Sequence, residues 1–141
     1  MTSTHQPALI SPMLSELPVR IKLASLWISL MLLYLYADVF SFYRPGIIDS
    51  IVEGNMGPFT VSQSALFIAS VLMLIPALMC TATFLFQRPL TRGLHLGFGA
   101  LYTVVNIGNV VGETWWYYLL YGAVEGLLTV TIFVLAWRWR S

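Results

Sequence analysis

The chain has 141 residues, enough for one domain; 58% of them are apolar, only 9% are charged, and the mean hydropathy is +0.80. These proportions exclude an ordinary soluble domain and place the chain in a lipid bilayer. A net charge of +1 from seven basic residues scattered in pairs excludes nucleic acid as a partner, because neutralising phosphates takes a clustered basic surface.

Residues 1–19, "MTSTHQPALISPMLSELPV", hold three prolines and are expected to form a cytoplasmic tail or a short interfacial segment. Four apolar stretches follow, over residues 23–43, 62–86, 94–112 and 115–137, each close to the ~20 residues that cross a hydrocarbon core. The first starts too late, and lacks a small-x-small site at its end, to read as a cleaved signal peptide. Short connections between the stretches predict an all-α integral membrane fold, an antiparallel four-helix bundle forming one four-span domain over residues 20–141. The outer connection 44–61 is longer. Its Ile47, Ile48, Ile51 and Val52, set against Asp49, Ser50 and Glu53, predict a short amphipathic helix between the turn signals Pro45-Gly46 and Gly57-Pro58, lying on the surface or acting as a lid.

Orientation follows from the basic residues. Arg20 and Lys22, Arg88 and Arg92, and Arg138 and Arg140 all fall on one side of the four stretches, and only Arg44 on the other. The positive-inside rule then puts both termini in the cytoplasm and Asp49, Glu53 and Glu113 outside.

The polar residues inside the spans fall into stripes. Tyr102, Asn106, Asn109 and Glu113 are spaced four, three and four apart on the third helix; Tyr118, Gly122, Glu125 and Thr129 share a face of the fourth, and Tyr34, Asp38 and Ser41 a face of the first. With a rise of ~1.5 Å per residue, Glu113 lies at the outer boundary, Asp38 roughly 6 Å inside it, the two asparagines deeper and Glu125 near the midplane. A carboxylate facing lipid at the bilayer centre costs at least ~2.5 kcal/mol, so these side chains are expected to point inward. Asp38, Glu125, Asn106, Asn109, Glu113, Tyr34, Tyr102 and Tyr118 are therefore the candidates for holding a ligand or carrying protons, with Arg44 as an ion-pair partner for Asp38. Trp115, Trp116, Tyr117, Trp137 and Trp139 read as interfacial belt residues.

The remaining signals concern the scaffold. Gly93 and Gly97, Gly108 and Gly112, and Gly122 and Gly126 are four apart, a spacing that permits close helix approach within the chain or between protomers of a homo-oligomer. Pro76, midway along the second stretch, leaves the Leu72 carbonyl without its helical donor. Lone Cys80 excludes an intrachain disulfide and a thiolate metal cage, and reads as a small core residue. One intramembrane histidine, His95 near the cytoplasmic edge, cannot supply a bis-histidine haem, and no nucleotide or hydrolase motif is present, so no cofactor or metal is expected.

The stretch "YADVFSFYRPGIIDSI", with the length and the four-span layout, resembles a family of small bacterial membrane proteins of unknown function. More loosely, the layout is similar to DoxX-like four-helix membrane proteins. The first resemblance implies a place in the bacterial plasma (inner) membrane but no activity, and the second concerns fold alone. Three functions fit the residues. The first is binding or transport of a small solute, with or without proton coupling, through an outward-facing polar pocket. The second is an accessory or structural subunit whose polar ladder is internal glue. The third is a membrane enzyme on a lipid-like or quinone-like substrate, which ranks last because Asp38 and Glu125 would stand roughly 9 Å apart along the membrane normal.

Overall fold

The computed structural model describes residues 10–139. Among these residues the elements are α1 (Ile10–Ser41), α2 (Ile47–Val52), β1 (Asn55–Met56), β2 (Phe59–Thr60), α3 (Gln63–Leu85), α4 (Arg88–Val110) and α5 (Trp116–Arg138). Three helices are long and apolar enough to cross a membrane: α1 from Leu14 to Ser41, α3 and α5. At 23 residues α4 matches α3 in length, but Thr91, His95, Asn106 and two arginines dilute its apolar character.

The tail expected to extend to residue 19 is helical from Ile10 onward, and residues 1–9 lie outside the described residues. Pro18 takes the helical donor from the Leu14 carbonyl, yet α1 runs on through it. A tertiary anchor two residues later accompanies this: Arg20 pairs with Glu16 at 3.0 Å and reaches carbonyls at the close of α3.

α1 packs between α3 and α5, while α4 packs against α5 and touches α3. Contacts at the two ends show that consecutive long helices run in opposite directions. At one end, Arg20 of early α1 meets Thr83 and Phe86 at the close of α3, and Arg92 of early α4 meets Ala136 at the close of α5. At the other, Arg44 just beyond α1 meets Glu113 just beyond α4 and Tyr117 at the start of α5. Arg92 also satisfies free carbonyls at the negative end of the α5 dipole.

The distribution of polarity inverts that of a water-soluble protein. Arg20, Thr83, Thr91, His95, Asn106, Glu125 and Thr129 are buried, whereas Phe67, Ile68, Leu74, Leu78, Val104, Leu120 and Leu127 are exposed on the outer faces. Polar groups that find partners inside and apolar groups that face out are what a hydrocarbon solvent selects. α4 states this within one helix: Thr91, His95, Gly99, Tyr102 and Asn106, spaced four, four, three and four, are buried, while Leu101, Val104 and Ile107 face out.

Pro76 has the consequence its position predicts, and the structure supplies the remedy. The Tyr102 hydroxyl of α4 donates to the Leu72 carbonyl that Pro76 leaves free. Ser62 caps α3, its hydroxyl accepting from the Ala65 N–H at 3.1 Å.

The glycines that bring helices together are only partly those of the four-residue pairs. A Cβ at Gly122 would lie 2.1 Å from Val110 Cγ1, and one at Gly99 3.3 Å from the backbone of Phe133. Gly93, Gly97, Gly108 and Gly126 face open space. What matters is whether a glycine falls on the α4–α5 contact, not its distance in sequence from another glycine.

The connection 44–61 contains the predicted short helix, α2, and an antiparallel hairpin that the sequence reading does not foresee, with Asn55 opposite Thr60 and Met56 opposite Phe59. Gly57 takes φ +58 in the turn, the left-handed value that a two-residue hairpin with glycine first requires. α2 buries none of its residues.

Candidate functional site

Side chains of α1, α3, α4 and α5 build one polar seam through the packed helices, and its two halves differ. Toward the Arg20 end every buried polar group has a partner. His95 is fully buried; its Nδ1 accepts from the Trp27 indole N–H at 2.9 Å, and its Nε2 lies 3.1 Å from Thr83 Oγ1. Indole can only donate, so Nδ1 carries no proton and the imidazole is the Nε2–H tautomer, donating to Thr83. The Thr83 hydroxyl in turn donates to the Met79 carbonyl at 2.5 Å. Arg20 donates to the Thr83 and Phe86 carbonyls and to Glu16, and its guanidinium lies 5.2 Å from the Trp139 ring centroid. The result is a continuous run, Glu16–Arg20–Thr83–His95–Trp27, that ties α1, α3 and α4 together.

The sequence reading passes over this half: it places His95 near the cytoplasmic edge and takes Arg20 only as a topology charge. A usable signal was present: Thr91, His95, Gly99 and Tyr102 continue the α4 stripe toward the N-terminus at helical spacing.

The other half holds the predicted candidates. Tyr34 of α1 donates to Asn106 Oδ1 of α4 at 2.5 Å, and both residues are buried. Asn106, 1% exposed, has no partner for its Nδ2, and Glu125, 4% exposed, has none for its Oε1. Asp38, Tyr34 and Tyr118 all lie within electrostatic range of Glu125. The structure therefore brings Tyr34, Asp38, Asn106, Tyr118 and Glu125 into one neighbourhood, with Tyr102 beside Tyr34.

Two candidates do not point inward as expected. Asp38 is exposed on the surface of α1, because Tyr34 and Ala37 take the positions that face the seam. Asn109 is exposed because α4 ends at Val110, and in that last turn it is Val110 that packs on Gly122.

The expected Asp38–Arg44 ion pair is replaced by another. Arg44 Nη2 donates to Glu113 Oε2 at 2.9 Å and Nε to the Tyr117 hydroxyl at 2.7 Å. Its guanidinium carbon lies 5.1 Å from the Trp115 and Tyr117 ring centroids and 5.3 Å from that of Tyr118. Glu113 wins because it is fixed: its Oε1 accepts from the N–H groups of Thr114 at 2.8 Å and Trp115 at 3.0 Å, just before α5 begins. Partial burial pushes the Glu113 carboxyl up, but the Trp115 and Thr114 N–H bonds and Arg44 outweigh it and hold the group below its ordinary value. Burial likewise pulls Arg44 down, and its bonds to Glu113 and Tyr117 more than reverse this.

An open cleft of about 440 Å³ lies at this end, lined by Phe40, Tyr43, Arg44, Trp115, Tyr117 and Tyr121. Its walls are aromatic, whereas the sequence reading expects acids and amides. Trp115 and Tyr117 thus do more than mark the interface. Among the described residues no group of three or more His, Cys, Asp or Glu side chains is placed to hold a metal ion.

Chemically, the Arg20 half is a satisfied scaffold, and the Arg44 half leaves a buried donor, Asn106 Nδ2, and a buried acceptor, Glu125 Oε1, without partners. Among curated proteins and solved structures nothing matches the chain. Residues 18–141, nearly the whole chain, match the model of the family of unknown function DUF6326, and the protein belongs to that family.

Proposed function

We propose that the protein is a four-span integral membrane protein that binds or moves a small polar solute at the Tyr34–Asn106–Glu125 site. The observation that carries this reading is the pair of buried, unpartnered atoms Asn106 Nδ2 and Glu125 Oε1, on two helices in contact. Each such group costs about 1–3 kcal/mol of lost hydration, a cost that evolution tolerates where the group serves a ligand. In this reading α4 crosses the membrane as well, as the third of four spans, its polar stripe turned inward and Leu101, Val104 and Ile107 turned to lipid. Arg20, Lys22, Arg88, Arg92 and Arg138 gather at one end, which supports a cytoplasmic location for both termini in a bacterial inner membrane.

The test is thermal unfolding of the purified protein in detergent, parent against Glu125→Leu. A midpoint held or raised is the expected result, because an unpartnered acid is removed. A midpoint lowered by several degrees would mean that Glu125 is bonded in the resting protein, and would replace solute binding with an accessory role. That second reading draws support from the Tyr34–Asn106 and Tyr102–Leu72 bonds, which do join helices.

A further inference from the structure

Resting on the binding reading above, the chemistry around Glu125 narrows the solute to one class. Two carboxyl groups meet here, and the charge of Asp38 acts on Glu125. The nearest basic side chain and those at the far end of the bundle are committed elsewhere. Arg44 is held by Glu113 and Tyr117; Arg20 and Arg88 pair with Glu16, and Arg92 with the end of α5. Glu125, buried without a cation beside it, favours an occupant that brings one, since a buried carboxylate is tolerated only when paired.

Asn106 adds an independent requirement. Its Oδ1 is taken by Tyr34, so its Nδ2 is left as a donor that needs an oxygen acceptor. One molecule satisfies both orphans if it offers an N–H donor to Glu125 and an oxygen to Asn106. Size is limited as well, because Val110 packs on Gly122 one turn from Glu125 and brings α4 and α5 close together. Asp38, exposed on α1 and within the field of Glu125, marks the approach.

We propose that the site takes a small primary ammonium group with an oxygen a few bonds away, as in an amino alcohol. The ammonium meets Glu125, with Asp38 on its approach, and the oxygen accepts from Asn106 Nδ2.

The test uses the full chain in phosphatidylcholine nanodiscs, with ethanolamine as probe, ethylene glycol as its neutral counterpart and ethylamine as the cation without oxygen. Ethanolamine is expected to raise the unfolding midpoint saturably, ethylene glycol to leave it unchanged, and ethylamine to act only at concentrations at least about tenfold higher. Glu125→Gln and Asp38→Asn, close in shape to the parent, are each expected to weaken the ethanolamine response by about tenfold or more. Nanodiscs containing phosphatidylethanolamine separate the two sources of this chemistry. A midpoint raised by that lipid assigns the ammonium to a headgroup, and one raised only by free ethanolamine assigns it to a solute; either supports the class. Equal response to ethylene glycol and ethanolamine would overturn the class while leaving solute binding in place. Ethylamine acting as strongly as ethanolamine would overturn the role of Asn106. No response to ethanolamine or to the lipid headgroup would overturn the proposal, and the Glu125→Leu midpoint then decides separately whether the binding reading falls with it.

Discussion

The two halves of the polar seam are built from similar residues but end in opposite conditions. Near Arg20, a histidine, a tryptophan, a threonine and an arginine are all buried, and each donor meets an acceptor. Near Arg44, an asparagine and a glutamate of comparable burial each keep an atom without a partner. α1 and α4 contribute to both halves, α3 completing the first and α5 the second. Buried polar residues thus differ in whether they are answered, and satisfaction rather than burial tells the two halves apart.

The largest expected effect lies in the satisfied half. Arg20→Met leaves the Thr83 and Phe86 carbonyls and Glu16 without their donor, and should lower stability by about 3 kcal/mol in a reversible detergent unfolding titration. An unchanged midpoint would dissolve the contrast between the halves at once. His95→Leu comes next, because it strands the Trp27 N–H, and should cost about 1–3 kcal/mol in the same assay. Trp27 fluorescence should report the loss of its bond as well. Tyr102→Phe removes only the donor that repairs the Pro76 break, and should cost about 0.6–1.7 kcal/mol. Glu125→Leu, in the unsatisfied half, should cost nothing or stabilise.

The smallest effect is one of pH. The Glu113 carboxyl is held below its ordinary value in the folded protein, so the unfolded chain takes up its proton first as pH falls. Its contribution is therefore fully present above the ordinary value of 4.5 and is lost as pH falls through the lowered folded value. Glu113→Gln should flatten the acid limb of the stability profile without altering the limb near neutrality. An acid limb identical in parent and variant would mean that the Arg44 clamp adds nothing to stability.

Much of this site was legible in helical spacing. Tyr34, Tyr102, Asn106, Tyr118 and Glu125 could be placed on inward stripes because a period of 3.6 carries direction, and Pro76 identified the Leu72 carbonyl by counting four residues back. Asn109 escaped that logic because periodicity says nothing about where a helix stops, and α4 stops at Val110. Arg44 escaped it because proximity in sequence favoured Asp38, while the partner it takes, Glu113, lies 69 residues away.

Composition and pattern alone determined the solvent, the long helices, the stripes that turn inward and the segregation of basic residues, because each depends on local character and on a fixed helical repeat. Only the tertiary structure decided which polar groups are answered. A hydrogen bond between helices is a meeting of residues remote in sequence, such as Trp27 with His95 or Tyr34 with Asn106, and it depends on the rotation and depth of each helix against its neighbours. That geometry leaves Asn106 Nδ2 and Glu125 Oε1 without partners, and nothing in either residue's own surroundings along the chain announces it.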